Sequence, residues 1–516
     1  MIYSMFMKDV QNRKGESQKA LGVFIKKLRE KRFLTQGELA ERLDTAQSAI
    51  ARIEAGRQNL TAGELLRIGD ALEHKIVSLS NSIDFRIRGG GKLYGSIATN
   101  TSKNGAMGLL CAALLNKGIT TLHGIPRIEE VNRMTEILVG LGVKLRWLEK
   151  QTLEIAPPKN FKKAGLIHPS VANVRSSLML IPAMSHYLKK FALLHSGGCK
   201  MGERTISAHR YALSEMGLKI ETKENKYEID VSKLNPADVV MYESSDTGAI
   251  SAIMTAALIP GITSISFAPP NYQVQEVCFF LAKLGVKIEG IGTTNLRVHG
   301  VKEINKNVEY HNSEDPIEAM MFISAAVTTN SKLRVERCPI DFLALELEKL
   351  KVMGLKYKAS KIYFSKNERT KLVDITIFPS KLKALKDKIH AQPYPGINSD
   401  NLPFFVPIAT QTEGTTMVHD WMWENRAIYF TELNKLGANI TLADPHRVFV
   451  VGPTKLKPAQ IVCPPALRPA MIILIAMLAT PGVSILRNIY SITRGYEDVV
   501  ERLNSIGANI EKITDV

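Results

Sequence analysis

Cysteine is scarce. Five occur in 516 residues, Cys111, Cys199, Cys278, Cys338 and Cys463, and no two form a C-x-x-C pair. Their spacing argues against a disulfide framework or a structural zinc site and is that expected of a chain kept in a reducing cytoplasm. Long apolar runs are also missing. The longest, around residues 471–479, falls far short of the roughly 20 residues a membrane-crossing helix needs. The start of the chain, with Lys8 and Asp9 close behind Met1, lacks the apolar core of a signal peptide. Acidic residues are in deficit, 50 against 67 Lys and Arg, for a net charge of +17. Such an excess calls for anionic partners such as phosphates, nucleotides or nucleic acid. Residues 1–80 hold 14 basic and 10 acidic residues, so most of the charge lies downstream. The length exceeds what one hydrophobic core supports, so two or more domains are expected.

Residues 18–80 read as a small all-α head. Leu21, Phe24, Ile25 and Leu28 share one helical face, and Thr35-Gln36-Gly37-Glu38 and Thr61-Ala62-Gly63-Glu64 are capping-box patterns ahead of apolar periodic segments. Residues 45–56 read as a short helix between them. The order Leu34-Thr35-Gln36, Leu39-Ala40, Leu43, Gln47-Ser48, Ile50 and Ile53-Glu54-Ala55-Gly56 resembles the lambda-repressor-like (XRE-type) helix-turn-helix family. By that resemblance Gln36, Gln47 and Ser48 would face bases, and Arg52 or Arg57 would meet phosphate.

Downstream, a helix-like segment closing on an apolar residue and glycine, then a short strand, recurs six times. The glycines are Gly142, Gly217, Gly285, Gly354, Gly437 and Gly507, at spacings of 75, 68, 69, 83 and 70 residues. A glycine there can take the left-handed conformation that ends a helix and turns the chain into a strand. Six βα units of about 70 residues, three per lobe around a cleft, are the expected architecture. One unit carries Ser196-Gly197-Gly198-Cys199-Lys200-Met201-Gly202-Glu203-Arg204, a single thiol on a glycine-hinged loop among fixed charges. Nearby cations bias such a thiol toward thiolate.

Six units with this loop, together with Lys103-Asn104, Arg175, Asp315 and Glu318, Ser399-Asp400, Trp423-Glu424-Asn425-Arg426, Leu467-Arg468 and Arg494-Gly495-Tyr496-Glu497, resemble the enolpyruvyl transferase family. Within it they are similar to the branch acting on UDP-N-acetylglucosamine. The resemblance implies an α/β (α+β) fold, a two-lobed inside-out α/β barrel of six βα units. It assigns residues 1–17 to a tail and 18–80 to the head. Residues 81–102 become a linker and the first strand of the second lobe, 103–313 the first lobe and 314–516 the second. The implied reaction moves the enolpyruvyl group of phosphoenolpyruvate onto the sugar 3-hydroxyl and releases phosphate. Lys103, Arg175, Arg204, Arg426, Arg468 and Arg494 would bind the anionic groups, Arg as forks and Lys103 as a point charge. Asp400 would be the base, Cys199 a proton donor or transient covalent partner, and Asn104 a holder of the reacting sugar. Asp315 and Glu318 would anchor the nucleotide or the lobe hinge. No cofactor and no metal are implied. The expected partners are phosphoenolpyruvate, a UDP-sugar, DNA through residues 18–80, and a second copy through the head; no membrane is.

Departures from the family pattern cluster on the nucleotide side. Thr205-Ile206-Ser207 stands where the family has Pro-Val-Asp, Ser244 stands for a lysine near the diphosphate, Asp246 adds an acid there, and Ala466 replaces a carboxylate two residues before Arg468. Two readings follow: a working transferase with a DNA-binding appendage, or a transcriptional regulator whose degenerate transferase body senses a nucleotide sugar or phosphoenolpyruvate.

Overall fold

A computed structural model describes residues 18–19, 21–30, 32, 34–58, 60–72, 83–197 and 205–514. The chain divides into two compact units, 1–81 and 82–516.

In the first unit, residues 21–30 are helical and are followed by helices Gln36–Arg42, Gln47–Glu54 and Ala62–Ala71. Both expected capping boxes form. Thr35 and Thr61 each accept from the backbone N–H of Glu38 and Glu64, whose carboxylates reach back to the cap N–H. Each such cap contributes about 1 kcal/mol. Ile25, Leu39, Ile50, Ile53, Ile68 and Leu72 make the core. Beside it, buried Arg29 forms a bidentate pair with Glu54, Nε to Oε1 at 2.6 Å and Nη2 to Oε2 at 3.0 Å.

The second unit contains six small sheets, each with its own helices. All six repeat glycines adopt left-handed backbone, with φ between 82° and 106° at Gly437 and Gly354 respectively. A side chain in that conformation costs about 1–2 kcal/mol, which is why the same residue type recurs at every helix-to-strand turn. The strand Ile83–Gly89 lies between Gly482–Arg487 and Ile510–Thr514, antiparallel to both, with Phe85 opposite Leu486 on one side and Lys512 on the other. The beginning and the end of the body thus share one sheet.

Helices lie inside and sheets outside. Every residue of Pro316–Thr328 is buried, as are all but the last of Leu467–Ala479, whereas the strand Arg447–Gly452 alternates exposed and buried positions. This is the inside-out α/β arrangement. The apolar stretch at 471–479 is therefore a core helix, and among the described residues no helix is long and apolar enough to cross a membrane. One core gathers the helices between Lys103 and Leu284; the other gathers Pro316–Thr328, Phe405–Ala409 and Leu467–Ala479.

Candidate active site

Two crossing segments run side by side between these cores. Ser102 N–H donates to the Ser313 carbonyl at 2.7 Å, Asn312 Nδ2 to the Ser102 carbonyl at 2.8 Å, and Asp315 N–H to the Asn100 carbonyl at 2.8 Å. The pairing ends where two helices begin. Lys103 opens helix Lys103–Ala112 behind the cap Ser102, and Asp315 caps Pro316–Thr328 by accepting from Ile317 N–H at 2.8 Å. Arg468 stands second in Leu467–Ala479 and Asp246 first in Asp246–Ala257. Functional side chains thus cluster at helix N-termini, whose free N–H groups and partial positive charge suit phosphate and carboxylate. Lys103, Asp315, Arg468, Gly495 and Tyr496 line one crevice.

Glu130 clamps two of the expected anion-binding cations. Its Oε2 accepts from Lys103 Nζ at 2.7 Å and its Oε1 lies 3.4 Å from Arg494 Nε. Burial pushes the Glu130 carboxyl up, but Lys103, Arg494 and Arg468 outweigh it and hold the group below the usual carboxylate range. An incoming anion would compete with this carboxylate for both cations.

Asp400 sits in the second cationic cluster. Arg468 Nη2 donates to its Oδ2 at 3.1 Å, while Arg468 Nη1 donates to the Tyr496 hydroxyl at 2.7 Å. Burial pushes Asp400 up, and Arg468, Arg426 and Lys103 together drive it below its ordinary value. A carboxylate kept ionised in this way can accept a proton from a hydroxyl within hydrogen-bond reach, although the cations that keep it ionised also weaken it as a base. Arg426, expected from sequence to bind an anionic group, is held from behind by an acid of its own. It is fully buried; Nε and Nη2 donate to Asp420 at 2.6 and 2.8 Å, and Nη2 also to the Ser399 carbonyl. Its remaining nitrogen, Nη1, makes no hydrogen bond among the described residues and points at Asp400 Oδ1 from 3.7 Å. Arg426 therefore fixes the Ser399-Asp400 turn and its charge.

Asn104 Nδ2 donates to the Tyr272 hydroxyl at 2.8 Å. Two residues on either side of Tyr272 converge on Asp246: Asn271 Nδ2 and Gln273 Nε2 both donate to Oδ2, at 2.9 and 2.6 Å. Burial raises Asp246 to about 6, with Asp400 adding repulsion against the two amides.

Asp315 spends one oxygen on its cap, and burial raises its carboxyl against the pull of Arg468. Glu318 lines the same crevice and ties segments together, accepting from Asn100 N–H at 2.6 Å and pairing with Arg502. Arg175 Nη2 donates to the Thr205 carbonyl at 2.7 Å. Cys199 and Arg204 lie outside the described residues. Ala466 is the N-cap of Leu467–Ala479 and supplies no capping side chain. In the head, Gln47, Ser48 and Arg52 are exposed along one helix, and Gln36 donates to Glu54 Oε2 at 2.9 Å, which joins its amide to the Arg29–Glu54 pair.

Sequence reasoning missed Glu130, Asp420 and Tyr272. Glu130 follows Glu129 at a helix start, where acidic residues are commonplace, and Asp420 carries no local signal. Tyr496 lay within the quoted Arg494-Gly495-Tyr496-Glu497 motif without a role.

Residues 87–503 match the family model of EPSP synthase (3-phosphoshikimate 1-carboxyvinyltransferase), and residues 20–74 match a helix-turn-helix domain. Curated relatives include UDP-N-acetylglucosamine 1-carboxyvinyltransferase of Treponema denticola, 33% identical over 429 residues, covering 83% of this chain and 99% of the relative. The protein of the same name from Bradyrhizobium diazoefficiens is 31% identical over 436 residues, covering 84% and 99%. Among solved structures, the enolpyruvyl transferase NikO from Streptomyces tendae aligns at TM-score 0.70 and 23% identity over 84% of this chain and 100% of its own. EPSP synthase from Acinetobacter baumannii aligns at 0.65 and 19% over the same shares. These two speak to the fold. A family match running through nearly the whole body, on a fold of this kind, establishes that the chain belongs to the EPSP synthase (3-phosphoshikimate 1-carboxyvinyltransferase) family, the enolpyruvyl transferases, and carries a helix-turn-helix domain ahead of it.

Proposed function

We propose that the body transfers the enolpyruvyl group of phosphoenolpyruvate to an acceptor hydroxyl and releases phosphate, while the head binds DNA. The observation that carries this is Asp400, a carboxylate held ionised by Arg468 and Arg426 beside a crevice lined by Lys103. Asp400 takes the hydroxyl proton as the oxygen attacks C2 of phosphoenolpyruvate. Cys199 delivers a proton to C3, and loss of a C3 proton with departure of phosphate restores the double bond. Lys103 and Arg494, released from Glu130, hold the phosphate and carboxylate. The relatives named for UDP-N-acetylglucosamine make its 3-hydroxyl the acceptor to test first. The head presents Gln47, Ser48 and Arg52 in the manner of a recognition helix.

The test follows phosphate release from phosphoenolpyruvate with UDP-N-acetylglucosamine and with free sugars and nucleosides, for the wild type and Cys199→Ala. Cysteine-dependent release with any of these supports the reading. No release with all of them refutes it.

A further inference from the structure

The first turn of helix Asp246–Ala257, near enough to Asp400 for the two charges to repel, carries a feature that the transfer chemistry alone does not use. Asp246 opens helix Asp246–Ala257, at the end where a bound diphosphate would profit from free N–H groups and the helix dipole. Among the described residues no cation pairs with it. Asn271 and Gln273 both donate to Oδ2, which fixes the orientation of the carboxyl and leaves Oδ1 without a donor among the described residues. Among the described residues the charge that acts on it is Asp400, of the same sign. On the packed helix Ser207–Ser214, His209 is engaged elsewhere, with Nδ1 3.0 Å from Ser251 Oγ and Nε2 3.1 Å from Thr247 Oγ1. Ser244, two residues earlier, is exposed and brings no charge where the family pattern has a lysine.

We infer that Asp246 determines acceptor specificity. Its oriented carboxylate excludes a diphosphate from this helix end and accepts a hydrogen bond from the hydroxyl or ammonium of an acceptor that carries no diphosphate there. The inference rests on the reading of the body as an enolpyruvyl transferase acting on a hydroxyl, and it names the class of compound that supplies it. The physical ground is a sign change. A serine hydroxyl or amide at this position donates to phosphate, whereas an ionised carboxyl repels it at short range in a half-buried cleft. The donors that remain useful to Asp246 are those of polyols, aminosugars and nucleosides. Burial keeps the carboxyl at about 6, so the repulsion holds at neutral pH and fades below it.

Binding of UDP-N-acetylglucosamine is measured by calorimetry for the full chain and for Asp246→Asn and Asp246→Ser, at pH 8 and pH 5. Both phosphates of this probe keep one charge each across the range, so the ligand contributes no titration of its own. At pH 8 the variants are expected to bind about tenfold or more tighter than the wild type, since one pKa-sized repulsion corresponds to a factor of ten. The wild type is expected to tighten by a similar factor on going to pH 5, and the variants to lose that pH dependence. Affinities within twofold of the wild type in both variants at pH 8 overturn the inference. Should the variants fail to fold, as judged by circular dichroism, the wild type decides alone: equal affinity at pH 8 and pH 5 overturns it.

A second arm compares phosphate release from phosphoenolpyruvate with UDP-N-acetylglucosamine, uridine and N-acetylglucosamine as acceptors. The wild type is expected to favour an acceptor without diphosphate, and Asp246→Asn to shift the ratio toward the UDP-sugar by about tenfold or more. An unchanged ratio overturns the inference. Absence of release with every acceptor and every protein removes the transferase reading instead, and the binding comparison still decides whether Asp246 repels a diphosphate.

Discussion

Replacing Asp420 by Asn tests how the cationic cluster is built. Asp420 and Arg426 are both fully buried and meet through two hydrogen bonds of 2.6 and 2.8 Å. Removing one charge of such a pair leaves the other uncompensated in low dielectric, at a cost of about 3–5 kcal/mol. The unit from 82 to 516 has roughly 430 residues, and an unfolding entropy of about 2.1 cal/mol/K per residue gives about 0.9 kcal/mol per kelvin. The melting temperature of Asp420→Asn should therefore fall by about 3–5 °C in scanning calorimetry, and by more if the two cores melt separately. A functional signature should accompany it. Without Asp420 the full positive potential of Arg426 acts on Asp400 through Nη1 at 3.7 Å. Asp400 becomes a still weaker base, so the acid limb of the pH–rate profile moves to lower pH and the plateau rate drops. The double variant Asp420→Leu, Arg426→Met removes both charges and should recover most of the lost stability without recovering activity. A melting shift below 1 °C in Asp420→Asn, or a double variant less stable than the single one, refutes the reasoning.

Glu276 is buried and raised to about 7 by that burial, against hydrogen bonds from Ser313 and Asn367. Its folded value lies above the unfolded one near 4.3, so the folded state binds more protons in between; stability should fall by about 2–4 kcal/mol as pH rises from about 4 to 7. Urea unfolding should show a steeper loss in the wild type than in Glu276→Gln, the difference between the two slopes being the share of Glu276. Glu54→Ala strands Arg29 and releases Gln36, so the head should lose about 3–5 kcal/mol in its own unfolding transition; a loss under 1 kcal/mol contradicts the pairing. Gly217→Ala should destabilise the body by about 1–2 kcal/mol or more, because φ is 100° and the added Cβ would stand 2.5 Å from the Lys233 carbonyl oxygen. On selected operator DNA, Arg52→Ala should weaken binding evenly across sequences and lower the salt slope by about 1, whereas Gln47→Ala should relax preference at one base pair by about 1–3 kcal/mol. Equal effects of the two changes in gel-shift titrations contradict the assignment.

Much of the fold was legible because its signals are local. A helix that must turn directly into a strand needs a left-handed residue, and six glycines at near-regular intervals announced six units. Thr35 with Glu38, and Thr61 with Glu64, satisfied the first N–H groups of their helices as a three-residue spacing dictates. The motifs also named Lys103, Asp400, Arg468 and Arg494. What they left open was what each cation does before a ligand arrives, because that depends on partners remote in the chain. Arg426 read as an arginine for an anionic group, and Asp420, the acid that holds it from behind, went unread.

Order and element type were thus decided by the sequence, through backbone conformations and caps that involve only near neighbours. Partnership was decided by the tertiary structure. Glu130 meets Arg494 across more than 300 residues, and Asp246 and Asp400 repel each other from positions remote in the chain. Neither contact has a period or spacing to announce it. Each exists because two crossing segments and several buried helices point their N-terminal ends into one cleft, where charges far apart in the chain set one another's protonation.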